Sequence, residues 1–190
     1  MADRKALETI FRQHDFADFR WIDPKDMVVA NWVRMKCVFG CATYGKNACC
    51  PPNVPSVEEC RAFFQEYTKG VIFHFAHAVE KPEDRHLWSK GINLRLSGLE
   101  REVFLAGHNK AFLLFMDSCS ICGDCGKERS RCVNPGAARP SPEGMAVDVF
   151  STVREHGYPI DVLTDYSATM NRYAFLLITR GLRMIPGANA

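Results

Sequence analysis

The sequence predicts an α/β fold, a mixed sheet with helices packed on it and two cysteine-rich metal loops at the C-terminal ends of strands. Three observations lead there. Apolar, strand-like runs alternate with helical patterns along the chain. Two cysteine clusters, within residues 37–50 and 119–132, each follow an apolar run and precede a helix start. No repeat, low-complexity stretch or linker divides residues 1–190, so they read as one metal-binding domain, large enough to bury a core without disulfide staples.

Taken in order, residues 3–13 carry Leu7, Ile10 and Phe11 on one helical face. Asp23–Pro24 signals a turn. The valine-rich residues 27–35 read as a strand leading into the first cysteine group. Ser56 with Glu59 forms a capping box that starts a helix, and Gly70 ends it. Residues 71–78 read as a buried strand. Residues 83–108 read as a long helix that Gly91 and Gly98 could divide. A second apolar strand, 110–116, delivers the chain into the second cysteine loop. Ser141, Pro142 and Glu143 suit the cap and first turn of a helix running to His156–Gly157. Residues 159–163 and 172–180 read as closing strands, and 183–190 as a loose tail. Parallel neighbours with right-handed crossovers would bring both cysteine loops to one sheet edge.

The second loop holds Cys119, Cys122, Cys125 and Cys132 within fourteen residues. A thiolate every third residue lets a short loop curl around one soft metal centre, and three such ligands plus a fourth nearby is the usual setting of a 4Fe–4S cubane. Zinc is the alternative. Structural zinc sites usually pair two separate C-x-x-C knuckles, whereas here three cysteines share one run, so iron–sulfur is favoured. Cys132 could also serve a second cluster, leaving a three-thiolate tripod.

The first group offers Cys37, Cys41 and Cys50. Three ligands would suit a second cluster with one open iron, able to act as a Lewis acid or bind sulfur; a structural zinc site is the competing reading. Cys49 is a possible fourth ligand, though adjacent side chains diverge and favour a bystander; it could also be a reactive thiol that meets substrate or tunes the cluster. Cys60, on an apolar helix face, reads as a buried structural thiol. Seven cations flank the loops: Arg34, Lys36, Lys46, Lys127, Arg129, Arg131 and Arg139. Nearby cations would stabilise an anionic cluster, and Lys46 and Arg139 are candidates to tune it or hold an anionic substrate. His74 and His77, three apart in a strand, point to opposite faces and are read as structural.

These residues resemble a largely uncharacterised bacterial and archaeal family of predicted metal-binding proteins with a cysteine-rich domain of unknown function. The resemblance lies in Cys37-x3-Cys41, Tyr44–Gly45–Lys46 and Cys50–Pro51–Pro52. It continues in Cys119-x2-Cys122-x2-Cys125-x6-Cys132-x2-Pro135, then Arg139–Pro140–Ser141 and Val147–Asp148–Val149–Phe150. It implies metal binding by the matching cysteines and specifies no substrate.

Net charge of +2 gives no electrostatic case for nucleic acid, and no apolar run approaches the ~20 residues of a membrane helix. Clustered cysteines and the absence of a leader pattern suit the cytoplasm, where thiols stay reduced and ligate metals. The reading that follows is a cytoplasmic carrier of one or two 4Fe–4S clusters passing electrons to a redox partner protein. An enzyme with an open-site cluster and a zinc-stabilised interaction module are the alternatives.

Overall fold

The computed structural model describes residues 2–79, 81, 83–165 and 168–179. Its centre is a four-stranded antiparallel sheet in the order β1-β2-β4-β3, formed by β1 (Phe19–Ile22), β2 (Lys69–His77), β3 (Phe112–Leu114) and β4 (Met170–Ile178). Among the described residues five α-helices complete it: α1 (Ala2–Gln13), α2 (Asn31–Gly40), α3 (Val57–Gln65), α4 (Asp84–Leu105) and α5 (Val149–Glu155).

Both sheet faces are covered, which is why β2 and β4 read as continuous apolar runs instead of alternating ones. On one face Val71, Phe73, Leu176 and Ile178 pack with Leu7 and Phe11 of α1 and Leu96, Leu99 and Val103 of α4. On the other, Ile72, Phe175 and Leu177 meet Cys60 and Phe64 of α3 and Val149 and Val153 of α5. Period-two side-chain alternation sends neighbours on one strand into two separate cores. Each fully buried Phe is expected to contribute ~1.5–3 kcal/mol through burial.

Capping chemistry places the helix starts. Ser56 accepts the Glu59 N–H while the Glu59 carboxylate accepts the Ser56 N–H, so the expected capping box is present on α3. Ser56→Ala should cost about 1 kcal/mol, read as a lower denaturation midpoint with an unchanged m-value. Helix α4 runs unbroken through Gly91 and Gly98, because packing of Leu96, Leu99 and Val103 outweighs the weak propensity of two glycines.

Several expectations need correction. Residues 27–35 are not a strand: Val29 makes only an isolated bridge to Val147, and α2 begins at Asn31. The valine run ends at Ala30, and from there only Val33 is buried, so a helix turned largely to solvent meets no sheet neighbour. The first cysteine group therefore leaves a helix and only the second follows a strand. The four-residue β1 escaped sequence reading beside the stronger Asp-Pro signal. Ser141 opens a turn and not the helix: its Oγ accepts the Gly144 N–H at 3.1 Å, and the chain reverses at Ala146, φ 61°. Asp148 then caps α5 by accepting the Ser151 N–H at 3.1 Å. Residues 159–163 form no strand; Arg154 holds this segment through the Ile160 carbonyl at 2.8 Å. Strand β4 matches the last expected strand up to Ile178, and the tail 183–190 lies outside the described residues. All strand pairs are antiparallel, so parallel crossovers do not bring the cysteine loops together.

Candidate metal centre

The second loop is pinned at its base by the sheet and α4. The Phe115 N–H donates to the Pro140 carbonyl at 2.9 Å, closing the loop where the chain returns. Buried Asn93 accepts the Met116 N–H at 3.1 Å, and buried Glu100 accepts the Leu113 N–H at 3.0 Å. Glu100 also pairs with Arg139 at 2.9 Å, and Arg139 donates to the carbonyls of Gly136 and Ala138, each at 3.0 Å. The Arg139 guanidinium, expected to tune a cluster or hold substrate, is thus engaged in bracing the end of the loop.

Inside this frame Cys119, Cys122, Cys125 and Cys132 line one small cavity, and Cys49 joins them. The cavity measures about 20 Å³ and is completed by Asn47, Ala48, Gly126, Val133 and Ala138. No disulfide forms among the nine cysteines. The Cys49 thiol donates to the Cys119 sulfur, favouring the Cys119 thiolate and pushing Cys49 itself upward. Burial opposes the Cys119 thiolate, while the backbone N–H groups of Ile121 and Arg139 support it. The Ala48 N–H donates to Cys125 Sγ at 3.4 Å, and Arg129 Nη1 donates to Cys49 Sγ at 3.6 Å. Partial burial pushes the Cys122 thiol up, and the charges of Cys119, Cys132 and Cys125 push it further.

Close backbone packing shapes the same loop. A Cβ on Gly126 would lie 2.0 Å from the Arg131 carbonyl oxygen, an impossible contact that only glycine avoids. Gly126→Ala should force the 126–131 turn open and lower metal content several-fold, with the far-UV circular dichroism of the sheet and helices retained. A metal-to-protein ratio equal to wild type would contradict this role.

Cys37, Cys41 and Cys50 form the other group. Burial raises the Cys50 thiol to about 12, and the charges of Cys37, Cys41 and Cys119 add to the push. Cys37 is raised by burial first and by Cys41 second. Exposed Cys41 is lowered instead, chiefly by its hydrogen bond with Thr43 at 3.2 Å. Lys46 Nζ donates to the Ala42 carbonyl at 3.0 Å and also favours the Cys41 thiolate.

The two groups adjoin through the segment carrying Asn47 and Asn53, residues that sequence reasoning missed. Asn47 Nδ2 donates to the Cys119 carbonyl at 2.7 Å and its Oδ1 accepts the Cys49 N–H at 2.8 Å. Asn53 Nδ2 donates to the Lys127 carbonyl at 2.8 Å. Carboxamides inside a cysteine loop were the available signal, since each can donate and accept at once. Cys49 and Cys50 diverge as expected, but Cys49 turns into the second group and is no bystander to it.

Other expectations resolve simply. Cys60 is fully buried, its Sγ facing the Pro55 carbonyl at 3.7 Å. His74 pairs with Asp18 at 2.6 Å and Asn171 at 2.8 Å, and His77 stacks on Trp88. Among the described residues, no three Cys, His, Asp or Glu side chains stand in the grouping that a single metal ion requires, and no helix is long and apolar enough to cross a membrane.

The antiparallel sheet, covered by helices on both faces and carrying nine cysteines in its loops and helices, defines a cysteine-rich α/β domain. The chain belongs to the family described as predicted metal-binding protein (DUF2284), whose model matches residues 20–178. That span contains all nine cysteines. No curated protein and no solved structure matches the chain.

Proposed function

We propose that this metal-binding domain is an iron–sulfur protein, with Cys119, Cys122, Cys125 and Cys132 holding a 4Fe–4S cluster that passes electrons to a partner protein. The observation that carries the reading is the single small cavity lined by these four thiols and Cys49. Thiolates are soft donors, and N–H groups aimed at their sulfurs favour the charged form that ligation needs. One zinc ion binds four sulfurs at ~2.3 Å and needs them almost touching. Three thiols at two-residue intervals with a fourth nearby, all around one cavity, suit a polynuclear group better. When bound, a cubane supplies one-electron redox chemistry. The chain's own residues do the rest: Arg129 offsets negative charge, Cys49 donates to the Cys119 sulfur, and buried Ala138 closes one side of the cavity.

A second cluster at Cys37, Cys41 and Cys50 is favoured by the turning of Cys49 to the other group, which leaves three thiols and one open coordination position. That arrangement also supports the alternative of an open-site enzyme.

Reversible reduction tests the proposal. Anaerobically purified protein should be brown, bleach on dithionite addition with a paramagnetic signal from the reduced cluster, and recover on reoxidation. Colourless protein, or colour unaffected by reductant, would contradict it.

A further inference from the structure

Beyond the cysteine cavity lies a cleft of about 290 Å³ between the start of β4, α5 and the 160–163 segment. That is just below the ~300–1,000 Å³ range of ligand sites, room for a small molecule only. Phe150, Ile160, Leu163 and Met170 give it an apolar wall, and Arg85 and Arg172 give it two cations. Arg85 is satisfied: its Nε and Nη2 donate to Asp117 Oδ2 at 3.1 and 2.7 Å. Arg172 is not. Among the described residues its guanidinium has no hydrogen bond and no ion pair, and its Nε is sealed from water without a partner. Glu143 also lines the cleft, and its charge and that of Asp117 act on Arg172, though neither carboxylate hydrogen-bonds it. Glu143 stands open to water at the mouth of the cleft. A half-buried guanidinium whose Nε has lost water and found no partner among the described residues costs the fold stability. An arginine presents a planar fork suited to a carboxylate.

We propose that this cleft binds a small organic carboxylate with an apolar body, anchored by Arg172. Isothermal titration of the wild-type protein with isovalerate, leucine and inorganic phosphate tests it, with metal content measured on the same sample. Saturable binding of isovalerate or leucine at millimolar or lower concentration is expected, and tighter binding of leucine would assign its ammonium to Glu143 or Asp161. Arg172→Gln should weaken binding about 10- to 150-fold, the factor for a charge-assisted hydrogen bond, while leaving the melting temperature equal or higher and metal content unchanged. Val162→Trp, at an exposed position on the rim, should obstruct the same site. Binding of phosphate alone, no binding of either carboxylate to folded protein, binding undiminished in Arg172→Gln, or collapse of the fold in that variant would each overturn the proposal.

Discussion

Glu100→Ala is expected to lower the unfolding free energy by about 3 kcal/mol, the loss typical of removing one member of a buried ion pair. The Glu100 side chain is 7% exposed, and one oxygen serves both Leu113 N–H and Arg139 Nε. Alanine would strand a buried sheet N–H and a largely buried guanidinium together, and each carries its own desolvation cost. For a chain of this size the loss corresponds to a melting temperature lower by roughly 6–12 °C. Glu100→Gln keeps an acceptor for Leu113 and should lose clearly less. Because Arg139 braces the loop and its backbone N–H meets the Cys119 sulfur, Glu100→Ala should also weaken metal retention. Equal melting temperatures for wild type and Glu100→Ala would contradict this role for the pair.

Cys119→Ser should remove the metal bound by the second group while the sheet persists. Cys119 is where the two groups meet: it takes the Cys49 thiol hydrogen bond, its charge is felt at Cys50, and Asn47 holds its carbonyl. Serine keeps the volume but replaces a soft thiolate with a hard hydroxyl of much higher pKa. Iron and sulfide assigned to that cavity should fall to background, whereas Cys60→Ser should leave both unchanged, its sulfur lying in the core against Met145. Equal iron and sulfide in Cys119→Ser and wild type would remove this cysteine from the ligand set.

The gathering of the second group's thiols around one cavity is legible in the sequence because they are local, three of them within seven residues, and local spacing survives any tertiary arrangement. The α3 cap was legible for the same reason. Strand pairing was not. Apolar runs such as β2 and β4 look alike whether parallel or antiparallel when both faces are buried, and the direction is set by partners about a hundred residues apart. The misread strand at 27–35 shows valine content yielding to context, since no sheet edge waits for it there. Which group Cys49 joins is not legible in sequence, because the direction of one thiol in an adjacent pair depends on a turn fixed by Asn47 and Asn53. The Arg172 cleft draws on Arg85, Glu143 and Arg172, which no sequence window holds together.

Counting iron, zinc and acid-labile sulfide per chain after anaerobic purification tests the iron–sulfur reading most directly. The cavity lined by Cys119, Cys122, Cys125 and Cys132 predicts about four irons and four sulfides, and about eight of each if Cys37, Cys41 and Cys50 hold a second cluster. One or two zinc ions with no sulfide would contradict it and leave a zinc-braced scaffold.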